Sequence, residues 1–195
     1  MKRVEEAATI IKSGGVVAFP TETYYGLAVD PFNVKALDRL YRIKQRKAAK
    51  PLLTLIAHLQ ELTLLVATTP EAFRPLMALW PAPLTLVFPS LPALPSQLTG
   101  GTSTIGVRIS PHPLATALIQ ACGFPITATS ANISGQAPCR TPQLIKEQFA
   151  VGGIDYILDG GPTPGGLGST LIGLKEQRPV VLREGAVSSA VLPLS

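Results

Sequence analysis

The sequence is poor in the residues that metal, redox and nucleophilic chemistry draw on. Its 195 residues include two cysteines, Cys122 and Cys139, and two histidines, His58 and His112. The cysteines match no metal or redox spacing, which excludes a zinc module or a C-x-x-C centre and fits a reducing compartment. The histidines have no triad or metal partners at useful spacing and read as structural, so no metal ligand is expected. Charged residues make up only 15% and aromatic residues 6%. With 46% hydrophobic residues, so little charge excludes a disordered chain. No run approaches the ~18 apolar residues of a membrane span, and no apolar h-region follows the N-terminus. The expectation is a soluble, cytoplasmic protein with no membrane partner. The glycine-rich stretch from Gly160 to Gly168 has no lysine in a P-loop position, so it is no Walker A motif and reads as a mobile loop. No internal repeat is present.

What remains is a basic, apolar chain of a length that forms one domain, residues 1–195, with a real core. Its net charge is +5, from 17 basic and 12 acidic side chains, with a pI near 9.4. That balance favours an anionic partner: a nucleotide, a phosphate or a nucleic acid.

The organising stretch is Gly14 to Asp30, G-G-V-V-A-F-P-T-E-T-Y-Y-G-L-A-V-D. Residues 16–19 have the length and composition of a buried strand, and Pro20 ends its ladder pattern. Thr21, Glu22, Thr23, Tyr24 and Tyr25 follow directly. Strand ends of α/β sheets are where ligand groups gather, although a polar strand exit without a ligand has the same look.

Before this stretch, Val4, Ala7, Ala8 and Ile11 share one helical face. After it, Asn33 is placed to cap a helix with Val34, Leu37, Leu40 and Tyr41 on its apolar side. Lys44 falls in the middle of that stripe, where an inward lysine needs a partner or an anionic ligand. For Arg46 to serve the same site, the helix must end near Gln45. Between residues 35 and 50 there are seven basic side chains and one acid, Asp38, which also fits an ordinary solvated basic helix. Strands are expected at 52–56, 84–88, 104–110, 126–129, 156–158, 169–173 and 179–182. Residues 58–66 and 70–80 read as surface helices, the second interrupted at Pro75. Residues 89–103 read as an irregular loop. Arg108 is a lone cation in an alternating strand, either an edge residue or a ligand clamp. Ser130 and Asn132 point to the same side in extended chain, as a ligand-binding pair or as an ordinary turn.

These pieces, in this order and spacing, resemble the YrdC-like threonylcarbamoyl-AMP synthases in their short, single-domain form. The matching motifs are P-T-E-T-Y-Y-G-L at 20–27, K-Q-R at 44–46, K-P-L at 50–52, T-I-G-V-R at 104–108, S-A-N-I-S-G at 130–135, S-T at 169–170 and L-R-E-G-A at 182–186. The resemblance implies an α/β (α+β-like) fold: a strongly twisted, open, mixed β-sheet with flanking helices and a basic concave cleft. It implies an L-threonylcarbamoyladenylate synthase, making threonylcarbamoyl-AMP and pyrophosphate from L-threonine, bicarbonate and ATP for modification of a tRNA adenosine. A downstream transferase complex would use the product. By position, Lys44 and Arg46 would be catalytic. Arg46, Lys50, Thr104, Ser130, Asn132 and Arg183 would meet ATP, and Thr23, Arg108 and Ser169 the threonine. Mg²⁺ is expected with ATP, held by phosphates and waters. Some members carry a histidine where this chain has Leu55. The competing reading is a non-catalytic double-stranded RNA or tRNA-binding module, and weak RNA binding fits either role. A carbamoyl-phosphate enzyme shares the fold in larger proteins, with domains not seen here.

Overall fold

The computed structural model describes residues 2–47 and 50–194. The polar exits identified in the sequence sit where two mixed sheets meet. The smaller sheet has strand order β7-β2-β1-β8, from β1 (Val17–Pro20), β2 (Tyr25–Ala28), β7 (Thr129–Ser130) and β8 (Tyr156–Ile157). The larger has order β10-β9-β4-β5-β3-β6, from β3 (Leu53–Leu55), β4 (Leu84–Pro89), β5 (Thr104–Arg108), β6 (Ile126–Thr127), β9 (Thr170–Lys175) and β10 (Arg178–Arg183). Parallel pairs (β1 with β8, β3 with β5, β4 with β9) and antiparallel pairs occur in both, so the expected mixed α/β architecture is present, divided between two sheets.

The sequence run expected as one strand at 126–129 crosses from one sheet to the other. Ala128 separates β6 from β7, and its N–H donates to Leu53 O at 2.8 Å while Thr127 N–H donates to Val29 O at 3.1 Å. Every residue of β1 and β2 is buried, because both faces of the small sheet are covered. Val17 and Phe19 pack with α1 (Lys2–Lys12) and α5 (Pro113–Cys122), whereas Val16 and Ala18 face the larger core. The α1 stripe is the one read from the sequence: Val4, Ala7, Ala8 and Ile11 are buried.

α2 (Val34–Ile43) buries Ala36, Leu37, Leu40 and Tyr41, while Val34, expected on that face, is 44% exposed. Asn33 caps it as expected, Oδ1 accepting from Ala36 N–H at 3.1 Å. Residues 58–66 form a 3₁₀ turn at Leu59–Leu64 and no α-helix, with Glu61 turned back to accept from Ala57 N–H. Residues 70–80 split into a 3₁₀ turn at Glu71–Phe73 and α3 (Arg74–Met77), because Pro75, lacking an N–H, is tolerated only in a first turn. The 89–103 loop contains one helical turn, α4 (Ser96–Thr99). α6 (Pro142–Gln148) is capped by Thr141, whose Oγ1 accepts from Leu144 N–H at 3.2 Å. Among the described residues no helix is long and apolar enough to cross a membrane.

Candidate active site

A cleft of about 630 Å³ opens at the junction of the two sheets. Its walls are the β1–β2 loop, the exit of α2, the C-terminal end of β5, the β6–β7 crossing, the glycine-rich loop and the end of β10.

The exit of α2 is built by a Schellman motif. Lys44 is the C-cap, Gln45 takes the left-handed conformation (φ 49°), and its N–H bonds Arg42 O at 3.0 Å. Arg46 N–H then bonds Tyr41 O at 3.0 Å. Ending the helix here lets Lys44 point inward while Arg46 reaches the cleft wall. Lys44 is 1% exposed. Its Nζ donates to Ser130 O, to Asn132 O at 2.7 Å and to Asn132 Oδ1 at 3.3 Å. All three ammonium protons therefore go to the S-A-N turn. Burial and the Arg46 charge pull the lysine pKa down to about 7. Arg46 donates from Nη2 to Pro51 O at 2.9 Å, and burial lowers its pKa. The Tyr41 hydroxyl lies between Lys50 O and Gln97 O, at 2.6 and 2.7 Å, and fixes the start of the K-P-L segment.

Ser130 and Asn132 do share a side: Ser130 Oγ donates to Asn132 Oδ1 at 2.6 Å. Asn132 is turned inward, however, its Nδ2 donating to Ile133 O and Gln136 O at 2.9 and 2.8 Å. Ser130 is the member of the pair on the cleft wall.

Arg108 ends a central strand, so the edge reading is excluded. It is 5% exposed and its Nη1 donates to Glu22 Oε1 at 2.5 Å. Burial pulls its pKa down, and the Glu22 carboxylate opposes that. Its Nε is buried with no hydrogen-bond partner among the described residues. Thr23 and Ser169 stand on the same wall, Ser169 Oγ lying 2.8 Å from Thr85 Oγ1.

Arg183 arrives by a bulge. Val181 faces Ile172 and Arg183 faces Leu171, so Leu182 is the extra residue, and the strand re-aims its last side chain. Arg183 Nη2 donates to Ser169 O at 2.8 Å. The next turn lies so close to the S-T element that a Cβ on Gly185 would sit 2.3 Å from Thr170 N, which only glycine avoids.

The glycine-rich loop, expected to be mobile, is tied to the cleft. Tyr24 Oη donates to Gly166 O at 2.6 Å, Tyr25 Oη to Gly161 O at 2.7 Å, and Gly165 N–H to Thr23 O at 2.7 Å. Of the residues assigned by resemblance, Thr23, Arg46, Lys50, Arg108, Ser130, Ser169 and Arg183 line the cleft. Lys44, Thr104 and Asn132 do not. Lys44 and Asn132 are consumed within the turn they build, and Thr104 begins β5 with its hydroxyl 2.8 Å from Thr102 Oγ1. Leu55 is fully buried against α5 and takes no part. Glu22 and Thr85 were given no role from the sequence. The signal for Glu22 was a carboxylate in a strand exit, and for Thr85 a hydroxyl in an otherwise apolar strand.

A family model for Sua5/YciO/YrdC, described as telomere recombination, matches residues 9–185. The chain belongs to that family. It is 41% identical over 192 residues to the threonylcarbamoyl-AMP synthase of Pyrococcus abyssi, an alignment covering 95% of this chain and 56% of the relative. It is 39% identical over 188 residues to that of Bacillus subtilis, covering 95% and 54%. The crystal structure of P. abyssi Sua5 complexed with L-threonine superposes with a TM-score of 0.89 at 40% identity, covering 94% of this chain and 54% of that one. The chain thus spans about half the length of these relatives.

Proposed function

We propose that this cleft makes L-threonylcarbamoyl-AMP and pyrophosphate from L-threonine, bicarbonate and ATP, with residues 1–195 acting as one domain. The observation that carries the reading is the gathering of Arg46, Arg108 and Arg183 in one cleft, with Arg108 Nε lacking a partner among the described residues. The names of the relatives and the threonine complex of P. abyssi Sua5 support it.

The threonine amine takes up CO₂ from bicarbonate as a carbamate. A carbamate oxygen then attacks the α-phosphorus of ATP, and the bond to the bridging oxygen breaks to release pyrophosphate. Carboxylate, carbamate and triphosphate are all anionic, and fixed cations offset their repulsion and stabilise the leaving group. Arg108 takes the threonine carboxylate as a fork, with Thr23 and Ser169 beside it. Arg46, Lys50, Ser130 and Arg183 meet the nucleotide. Lys44 acts on the reaction through the S-A-N turn, and Asn132 with it. Thr104 has no contact role in this reading. No nucleophilic side chain is needed, since the work is positioning and electrostatics.

Mg²⁺ comes with ATP. In this reading phosphates and waters supply its ligands. The reading includes a cytoplasmic setting, a transferase complex that consumes the product to modify tRNA, and weak, salt-sensitive, sequence-independent RNA binding by exposed cations. The test is pyrophosphate release with each substrate omitted in turn. Release is expected to require both L-threonine and bicarbonate; equal turnover without threonine would rule the reaction out.

A further inference from the structure

Arg108 has more hydrogen-bonding capacity than the protein uses, and the surplus lies on one edge. In a planar guanidinium, Nη1 is on the side of Cδ, while Nε–H and one Nη2–H lie side by side on another edge. Glu22 Oε1 takes Nη1 at 2.5 Å, and Nε is left without a partner among the described residues. The other Glu22 oxygen accepts from Ser110 Oγ. Ser110 Oγ in turn accepts from His112 N–H at 3.2 Å, at the start of α5. Arg108 is on the cleft wall, whereas Glu22 and Ser110 are not. Both Glu22 oxygens are committed behind the arginine. A pair serving the fold alone gains nothing from a buried, unpartnered Nε–H.

We infer that Glu22, braced by Ser110, is a positioning residue that locks Arg108 so that its Nε–Nη2 edge is presented to the carboxylate of the amino-acid substrate. This rests on the threonine reading above. The lock is one of hydrogen-bond geometry: a glutamine at position 22 still accepts from Nη1 and turns its amide to Ser110 Oγ, whereas an alanine releases the guanidinium.

The experiment is calorimetric titration of L-threonine, L-threoninol and ATP, without turnover, into the wild type and into Glu22→Ala, Glu22→Gln and Ser110→Ala, with the melting temperature of each. Glu22→Ala is expected to weaken L-threonine binding by about tenfold or more, the scale of a misplaced binding group, with ATP binding near wild type. Glu22→Gln is expected to stay within about threefold, since both hydrogen bonds survive. L-threoninol, which lacks the carboxylate, is expected to bind the wild type and Glu22→Ala equally weakly. Wild type that fails to bind L-threonine overturns the substrate reading. Wild type that binds it while Glu22→Ala binds it equally well overturns the positioning role. Glutamine as damaging as alanine overturns the geometric account. If Glu22→Ala does not fold, Ser110→Ala, which keeps the buried ion pair, decides: about threefold weaker threonine binding is expected, and no change sinks the inference.

Discussion

The two ends of the cleft hold their cations in opposite ways. At the Arg108 end a guanidinium is paired with a carboxylate, at 2.5 Å from Glu22. At the Lys44 end an ammonium is surrounded by two backbone carbonyls and one side-chain amide oxygen, with no acid among its partners. Pairing with Glu22 cancels the formal charge locally and leaves a directed, nearly neutral fork, which suits a zwitterionic amino acid. Neutral oxygens hold the lysine without cancelling it, but burial and the nearby Arg46 lower its pKa to about 7, so at neutral pH the charge of that end rests on Arg46 as well as on a part-protonated lysine. A polyphosphate calls for such an end. A basic side chain thus gives either a shaped recognition edge or a positive field, depending on what stands behind it.

The largest expected break in this comparison is Lys44→Met. Methionine fills much of the same space but leaves Asn132 O without its donor, while Ser130 O keeps the Asn132 N–H and Asn132 Oδ1 keeps the Ser130 hydroxyl. With one orphaned acceptor costing about 1–3 kcal/mol, a stability loss of that size is expected. Pyrophosphate release by the folded fraction should fall about a hundredfold, because Ser130 loses its footing. Denaturant unfolding read beside activity tests this. Full stability with intact nucleotide binding would remove the brace from the account. The same pair of proteins tests the charge. The folded lysine pKa of about 7 lies below the ordinary 10.5, so between those values the unfolded chain holds a proton that the folded chain has released. Stability therefore rises with pH across that window and is lowest below pH 7. Relative to Lys44→Met, the wild type should gain about 2 kcal/mol between pH 7 and 9. A flat difference would mean that the carbonyl cage holds the proton throughout.

Much of the positively charged end was legible in the sequence. Lys44 interrupts an apolar stripe, and a stripe on a helix is a local pattern with a fixed angle per residue. The need to end the helix near Gln45 followed from wanting positions 44 and 46 on one site, and the Schellman motif supplies that end. The α1 face was legible for the same reason. The shaped end was not. Glu22 and Arg108 are 86 residues apart, and no local periodicity pairs them. The inward turn of Asn132 depends on carbonyls at 133 and 136 whose direction only the folded turn sets. The glycine-rich loop lacks regular structure, as its composition indicated, yet phenols more than 130 residues away tie it down. The 3₁₀ turns replaced expected helices where short apolar segments had to fit the sheet surface, a case of packing overriding pattern.

The finest test separates charge in position from charge in general, using two arginines at the end of one helix. Arg46 donates to Pro51 O and lines the cleft, whereas Arg42 is exposed on the far side of α2. Arg46→Lys keeps the charge and removes the fork. A lysine cannot both hold the K-P-L carbonyls and offer parallel donors to phosphate, so ATP binding should weaken about tenfold with threonine binding unchanged. Arg42→Ala removes a full charge. At physiological salt, exposed charges beyond about 8 Å are largely screened, so ATP affinity should change less than twofold and stability by no more than about 0.5 kcal/mol. Titrations of ATP at low and physiological salt separate the contributions, because a diffuse effect of Arg42 would grow as salt is lowered. If Arg42→Ala weakened ATP binding as much as Arg46→Lys at physiological salt, the cationic end would act by bulk charge alone. The Schellman exit that separates the two arginines would then have no bearing on the site.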